Sequence, residues 1–351
     1  MLQSRPFSFA FLALALCVAG LLSGCTKNSN VPTETQSKVI YIYSDSLLDS
    51  KSQALMDYYR SEEFRKSGYI TSTLWNLILE QLKALSYTDY AGAVPDYLFK
   101  CDTSSIYDAN GYRTLVMEKD TNFVRNIIYV HGGAWTAQIS DEHLNFLDLF
   151  LPMANARAYL PLYPLLPNYN YAATMEMLLA LYQNLLKEDK PLLLMGDSAG
   201  ANILLGFINY LREKGLPMPA CVLPMSPAVD LSGASVPEMQ KYESRDPMLS
   251  PTIFTSSGCK AWAGDRQLQD PVISPIYGDF LNFPPMFMFI GTEEILYPDA
   301  ISFAEKVAAT GTKTEVLIGR GLWHVAPVDN IPVTSLYCTL ALEFIKSIDG
   351  K

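Results

Sequence analysis

The sequence predicts the α/β class: a mainly parallel sheet with helices on both faces and a helical cap. Three observations predict it. Short apolar runs without alternation (Asn126–Val130, Leu192–Met195, Cys221–Pro224, Pro285–Ile290, Thr314–Ile318) read as strands buried on both faces. Between them lie stretches of helical spacing (Asp141–Met153, Tyr171–Lys187, Ala199–Arg212, Asp299–Ala309), and strands alternating with helices imply parallel pairing through crossovers. The chain has 351 residues, 49% of them hydrophobic and 18% charged, enough to bury one large core.

Taken in order, residues 1–24 form a targeting segment. Arg5 is its only charge, and Phe7–Leu22 is almost wholly apolar. That run is short for a membrane span, which needs about 20 residues. Leu22-Ser23-Gly24-Cys25 resembles a bacterial lipobox. It implies cleavage before Cys25 and lipid attachment to its sulfur, giving an exported protein anchored to the periplasmic or extracellular side of a bacterial membrane. Residues 25–37 are polar and aperiodic, the composition of a flexible tether. One folded domain, 38–351, follows. Residues 46–90 are mostly helical in spacing, and 232–283 break the strand–helix alternation with prolines and several aspartates. The second segment reads as a cap insertion, and the first as either packing helices or a lid over a site. Between them, Asp108-Ala109-Asn110-Gly111 signals a hairpin within Tyr97–Met117.

Composition excludes several functions. The net charge is −10, with no basic cluster to neutralise phosphates, which argues against nucleic acid. Three histidines and no clustered ligand set imply neither metal nor cofactor. Cys101, Cys221, Cys259 and Cys338 match no zinc spacing. Cys221 and Cys338, in apolar runs, are expected as buried thiols, and export would permit a Cys101–Cys259 disulfide.

The chemistry is expected at Gly196-Asp197-Ser198-Ala199-Gly200. Any chain of this length meets G-x-S-x-G by chance with a probability of roughly 0.1. Here the motif lies between a buried strand and a helix, the context of a nucleophile elbow. The glycines leave room for a tight turn that exposes the Ser198 hydroxyl at the end of the sheet. A serine nucleophile needs a base, and histidine is the usual one. Of His131, His143 and His324, only His324 follows Ser198, as the chain order serine–acid–histidine requires, and it sits after the last strand.

The acid belongs in the loop after the strand ending near Gly291, where Glu293, Glu294 and Asp299 are candidates. Glu293, nearest the strand end, is the expected one. His131-Gly132-Gly133-Ala134-Trp135 follows another strand and has the form of an oxyanion loop, with backbone donors expected at Gly133, Ala134 and Ala199. Gly132 would permit the turn. His131 and Asp197 are expected to hold the site by hydrogen bonds, and His143, among polar neighbours, to lie on the surface. Trp135 and the apolar cap helices suggest an aromatic-lined pocket.

These motifs, with Tyr163-Pro-Leu-Leu-Pro167, Ser226-Pro-Ala-Val-Asp-Leu231 and Leu322-Trp-His-Val325, resemble the hormone-sensitive-lipase-like branch of the α/β-hydrolase fold. The resemblance covers about two-thirds of the chain, in family order. It implies a serine carboxylesterase acting on small-molecule, short-chain, acetyl-like esters, and it places residues 46–90 in the cap with 232–283. The chain departs from the family at Ala134, where a third glycine is usual, and in having glutamate for aspartate as the acid. An amidase or arylformamidase on the same fold, or a silent binding lipoprotein, are the competing readings.

Overall fold

A computed structural model describes residues 38–44, 49–90 and 100–349. Residues 1–37, with the expected targeting segment, tether and Cys25, lie outside the described residues. One nine-stranded sheet runs through the body. Its strands are β1 (Ile40–Ser44), β2 (Asp102–Tyr107), β3 (Arg113–Glu118), β4 (Arg125–Val130), β5 (Ala156–Pro161), β6 (Leu192–Asp197), β7 (Cys221–Met225), β8 (Met286–Gly291) and β9 (Thr314–Gly319). Their spatial order is β1-β9-β8-β7-β6-β4-β5-β3-β2. All neighbours are parallel except where β3 meets β2 and β5. The doubly covered parallel sheet of the expected α/β class is therefore present.

The apolar runs explain themselves in the layers. Along β4, Ile128 and Val130 face one hydrophobic cluster while Ile127 and Tyr129 face the other. Helices Tyr171–Leu185, Ser198–Glu213 and Tyr297–Ala309 cover the first face. Asp141–Ala154 and Pro332–Asp349 cover the second. Each fully buried Leu, Ile or Phe on these faces contributes roughly 1.5–3 kcal/mol relative to exposure. The Asp108–Gly111 turn joins β2 to β3 as expected, with Gly111 at φ +82°. Ile40–Ser44, by contrast, is a strand that periodicity does not announce. It is an edge strand with only Ser44 fully buried, held by parallel pairing to β9.

Two segments meet over the carboxyl ends of the central strands. Ile70, just before helix Ser72–Leu82, bridges Leu249 of the 232–283 segment. Its N–H donates to Met248 O at 2.8 Å, and Ser250 N–H donates to Ile70 O at 2.9 Å. Cys101, Cys221, Cys259 and Cys338 are all buried free thiols. The Cys101–Cys259 disulfide is thus not formed.

Candidate active site

The turn from β6 into helix Ser198–Glu213 places Ser198 at φ +50°, a conformation that costs a non-glycine residue of order 1–3 kcal/mol and points its side chain out of the sheet end. The flanking glycines are required by space. A Cβ on Gly196 would lie 2.5 Å from Val130 O, and one on Gly200 would lie 2.0 Å from the same oxygen and 2.5 Å from His131 O. Sheet and helix can approach only because both side chains are absent.

His324 Nε2 lies 2.8 Å from Ser198 Oγ, and its Nδ1 lies 2.8 Å from Glu294 Oε2. The other Glu294 oxygen accepts the Ser226 hydroxyl at 2.7 Å and the Gly291 N–H at 2.6 Å. Ser226 in turn accepts Val325 N–H at 3.0 Å, tying it to the histidine loop. A carboxylate facing Nδ1 keeps the hydrogen there, which leaves Nε2 as acceptor for the serine hydroxyl. Burial lowers the pKa of His324, but the Glu294 hydrogen bond and the charges of Glu294, Asp246 and Asp197 outweigh it and hold the pKa above the ordinary value.

The carboxylate beside His324 is therefore Glu294 and not Glu293. Thr292 N–H still donates to Gly319 O and Glu293 N–H to Leu322 O, so the chain continues alongside the histidine loop past Gly291. It turns only at Glu294. Glu293 points the other way, to Arg245 at 2.9 Å and Arg60 at 3.4 Å. Asp299 lies in the first turn of helix Tyr297–Ala309 and accepts the Ser235 hydroxyl at 2.6 Å.

Burial, with Asp230 and Glu238 nearby, pushes the Asp299 pKa up to about 6 against an ordinary 3.8. A folded-state pKa above the unfolded one favours folding below the unfolded value, and that contribution is lost as pH rises through 6. Asp299→Asn, which keeps an acceptor for Ser235, is expected to raise stability at pH 8 on the order of 2 kcal/mol. The gain should shrink as pH falls from 6 towards 4. Urea midpoints at pH 8 and pH 4.5 check this, and an equal effect at both would contradict it.

The loop after β4 carries Gly133 at φ +109°, Ala134 at +51° and Trp135 at +60°. Among the described residues, the Gly133 and Ala134 amides donate to nothing. Ala199, second in its helix, has an amide without an intrahelical acceptor. Asp197 anchors this loop: one oxygen accepts Tyr129 OH at 2.7 Å and the other accepts Gly132 N–H at 3.0 Å. A Cβ on Gly132 would meet that carboxylate at 2.3 Å. His131 is buried, stacks on Tyr163 at 4.5 Å and places Nδ1 2.8 Å from Gly132 O. Burial and the neighbouring His143 push its pKa down to about 4, so it is neutral near neutral pH.

His143 is not a surface residue. Its side chain is 13% exposed and its Nε2 lies 3.3 Å from Asp197. Ser140 N–H donates to its Nδ1 at 3.0 Å, which leaves the hydrogen on Nε2, facing Asp197.

Ser198 and His324 open on a cavity of about 500 Å³. Ile70, Trp75, Ile78, Leu82, Met248 and Leu249 form its apolar wall, and Gly133 and Ala134 also line it. Trp135 does not. It is buried between Trp75 at 5.8 Å and Trp262 at 5.6 Å, so the aromatic wall is Trp75, with Trp135 packed behind. No local pattern announces the role of Ser226, although it opens Ser226-Pro-Ala-Val-Asp-Leu231, or the place of Trp75 in the site.

The α/β-hydrolase fold family matches residues 127–328. A relative from Mycobacterium tuberculosis is 30% identical over 205 residues, which are 56% of this chain and 64% of that protein, just under two-thirds of its length. An esterase from Acinetobacter venetianus is 27% identical over 245 residues, covering 68% of this chain and 80% of the relative. An acetyl-hydrolase from Streptomyces hygroscopicus is 28% identical over 206 residues, 57% of this chain and 68% of its own. A solved structure of a hormone-sensitive lipase from a metagenome library superimposes with a TM-score of 0.71 at 22% identity, covering 87% of this chain and 99% of that one. At that identity the likeness concerns the fold.

Proposed function

Since the chain belongs to the α/β-hydrolase fold family, we propose that it is a serine carboxylesterase acting on short-chain, acetyl-like esters. The relay Glu294–His324–Ser198, with both hydrogen bonds at 2.8 Å and a cavity at its open end, carries this reading. Relatives named as esterase and acetyl-hydrolase support the bond type.

In this mechanism Ser198 Oγ attacks the ester carbonyl as its proton passes to His324 Nε2, and Glu294 stabilises the imidazolium. The tetrahedral oxygen takes its negative charge next to the amides of Gly133, Ala134 and Ala199, which are in place before reaction. Collapse expels the alcohol, which takes the proton from His324. Water then enters, gives a proton to the imidazole and attacks the acyl-enzyme. Its collapse returns that proton to Ser198 and releases the acid. The base must be neutral, so kcat/KM is expected to fall as pH drops through a His324 pKa lying above the usual histidine value.

The test is a series of p-nitrophenyl esters from acetate to octanoate beside the matching p-nitroanilides. Turnover should fall with acyl length, as the wall of Trp75, Ile78 and Leu82 fills, and esters should exceed anilides at least 10²-fold. Preference for the anilides would move the protein to the amidase class. Absence of turnover on both would favour a binding protein.

The chain is further proposed to be lipid-anchored through Cys25. No helix among the described residues is long and apolar enough to cross a membrane. Cys25→Ala is expected to shift the protein from the membrane to the soluble fraction, and retention by the membrane would remove the lipid anchor from the proposal.

A further inference from the structure

The 232–283 segment holds a carboxylate that neither the triad nor the oxyanion loop uses. Asp246 is fully buried, with 0% of its surface exposed. One oxygen accepts Met248 N–H at 2.8 Å and Leu249 N–H at 2.9 Å. The other accepts Ile295 N–H at 2.7 Å. No lysine or arginine among the described residues pairs with it, so burial pushes its pKa up to about 6 against an ordinary 3.8, countered only in part by three peptide donors and the neighbouring His324. Each end of this span belongs to the site. Ile295 follows Glu294 directly, and Met248 and Leu249 line the cavity. The same two residues are bridged to Ile70, ahead of the helix that brings Trp75 to the cavity.

We propose that Asp246 is a positioning residue that locks the cavity wall and the acid loop into one register, so that the cap and the Glu294–His324 hydrogen bond are set together. This rests on Glu294 serving as the acid. The neighbouring Arg245 reinforces the same loop from outside, donating to Thr292 O at 2.8 Å and to Glu293 at 2.9 Å. Consecutive cap residues thus hold the chain on either side of Glu294, one from the interior and one from the surface.

Asp246→Asn separates this role from simple packing. An asparagine can turn its oxygen to Met248 and Leu249, but its amide then meets Ile295 N–H donor to donor. The carboxylates acting on His324 are Glu294, Asp246 and Asp197, and the substitution also removes one of these negative charges.

For variant protein shown to be folded by circular dichroism, kcat on p-nitrophenyl acetate is expected to fall about 10- to 100-fold. KM should stay within about threefold, and the acid limb of the pH profile should move to lower pH. A purely structural role would lower the yield of active protein and leave kcat per active site at the parent's value. A folded variant with the parent's kcat and pH profile would overturn the proposal.

If the variant does not fold, amide exchange in the unsubstituted protein decides. The Met248, Leu249 and Ile295 amides share one acceptor and should exchange with a common protection factor. Ile295 exchanging independently of the other two would overturn the coupling. This readout needs no turnover, so an inactive parent would count against the esterase reading alone.

Discussion

Glu294→Gln is expected to lower kcat on short esters by about 10³- to 10⁴-fold, whereas Glu293→Gln should stay within about twofold of the parent. The asymmetry follows from the partners of each carboxylate. Glu294 Oε1 accepts Gly291 N–H and the Ser226 hydroxyl. A glutamine there must keep its oxygen on those donors, which turns its NH₂ towards His324 Nδ1. The imidazole then accepts at Nδ1 and carries its hydrogen on Nε2, towards Ser198, where a base is needed. Geometry survives and the tautomer is wrong. Glu293 makes partly exposed ion pairs with Arg60 and Arg245, each worth at most about 1 kcal/mol. Steady-state kinetics on both variants checks this, and equal losses would remove Glu294 from its assigned role.

Ser198→Ala should lower turnover by about 10³- to 10⁶-fold while leaving the fold intact. The substitution removes only the hydroxyl facing His324 Nε2. The turn is held by the space around Gly196 and Gly200 and by Asp197, none of which the serine hydroxyl supports. Melting temperature should therefore change little. Any residual rate would reflect polarisation of the ester by the loop amides, and it should persist when His324 is also replaced. A further large loss in that double variant would contradict the shared role of the pair.

Much of this was legible in sequence because it rests on local pattern. The run Leu192-Leu-Leu-Met195 is buried on both faces and forms a central strand, and Gly196 and Gly200 sit where a side chain would strike Val130 O. Chain order alone singles out His324, which the structure places against Ser198.

The rest depends on contacts that no local pattern carries. Glu293 and Glu294 are adjacent, and proximity to the strand end favours Glu293. The backbone, however, follows the histidine loop for two more residues before turning. His143 sits in a polar stretch, yet it is covered because Asp197, distant in sequence, meets its ring. Ile40–Ser44 becomes a strand because β9 leaves an edge to pair with, not because its own residues are buried. Asp246 looks like one more acid in an irregular insertion until its three amide donors are in place.

The most direct test of the central claim is to treat the protein with a fluorophosphonate and follow intact mass and p-nitrophenyl acetate turnover together, with Ser198→Ala alongside. One adduct per chain, mapped to Ser198 and rising in proportion to the activity lost, is the predicted result. Ester turnover that persists in Ser198→Ala, or in fully labelled protein, would contradict it.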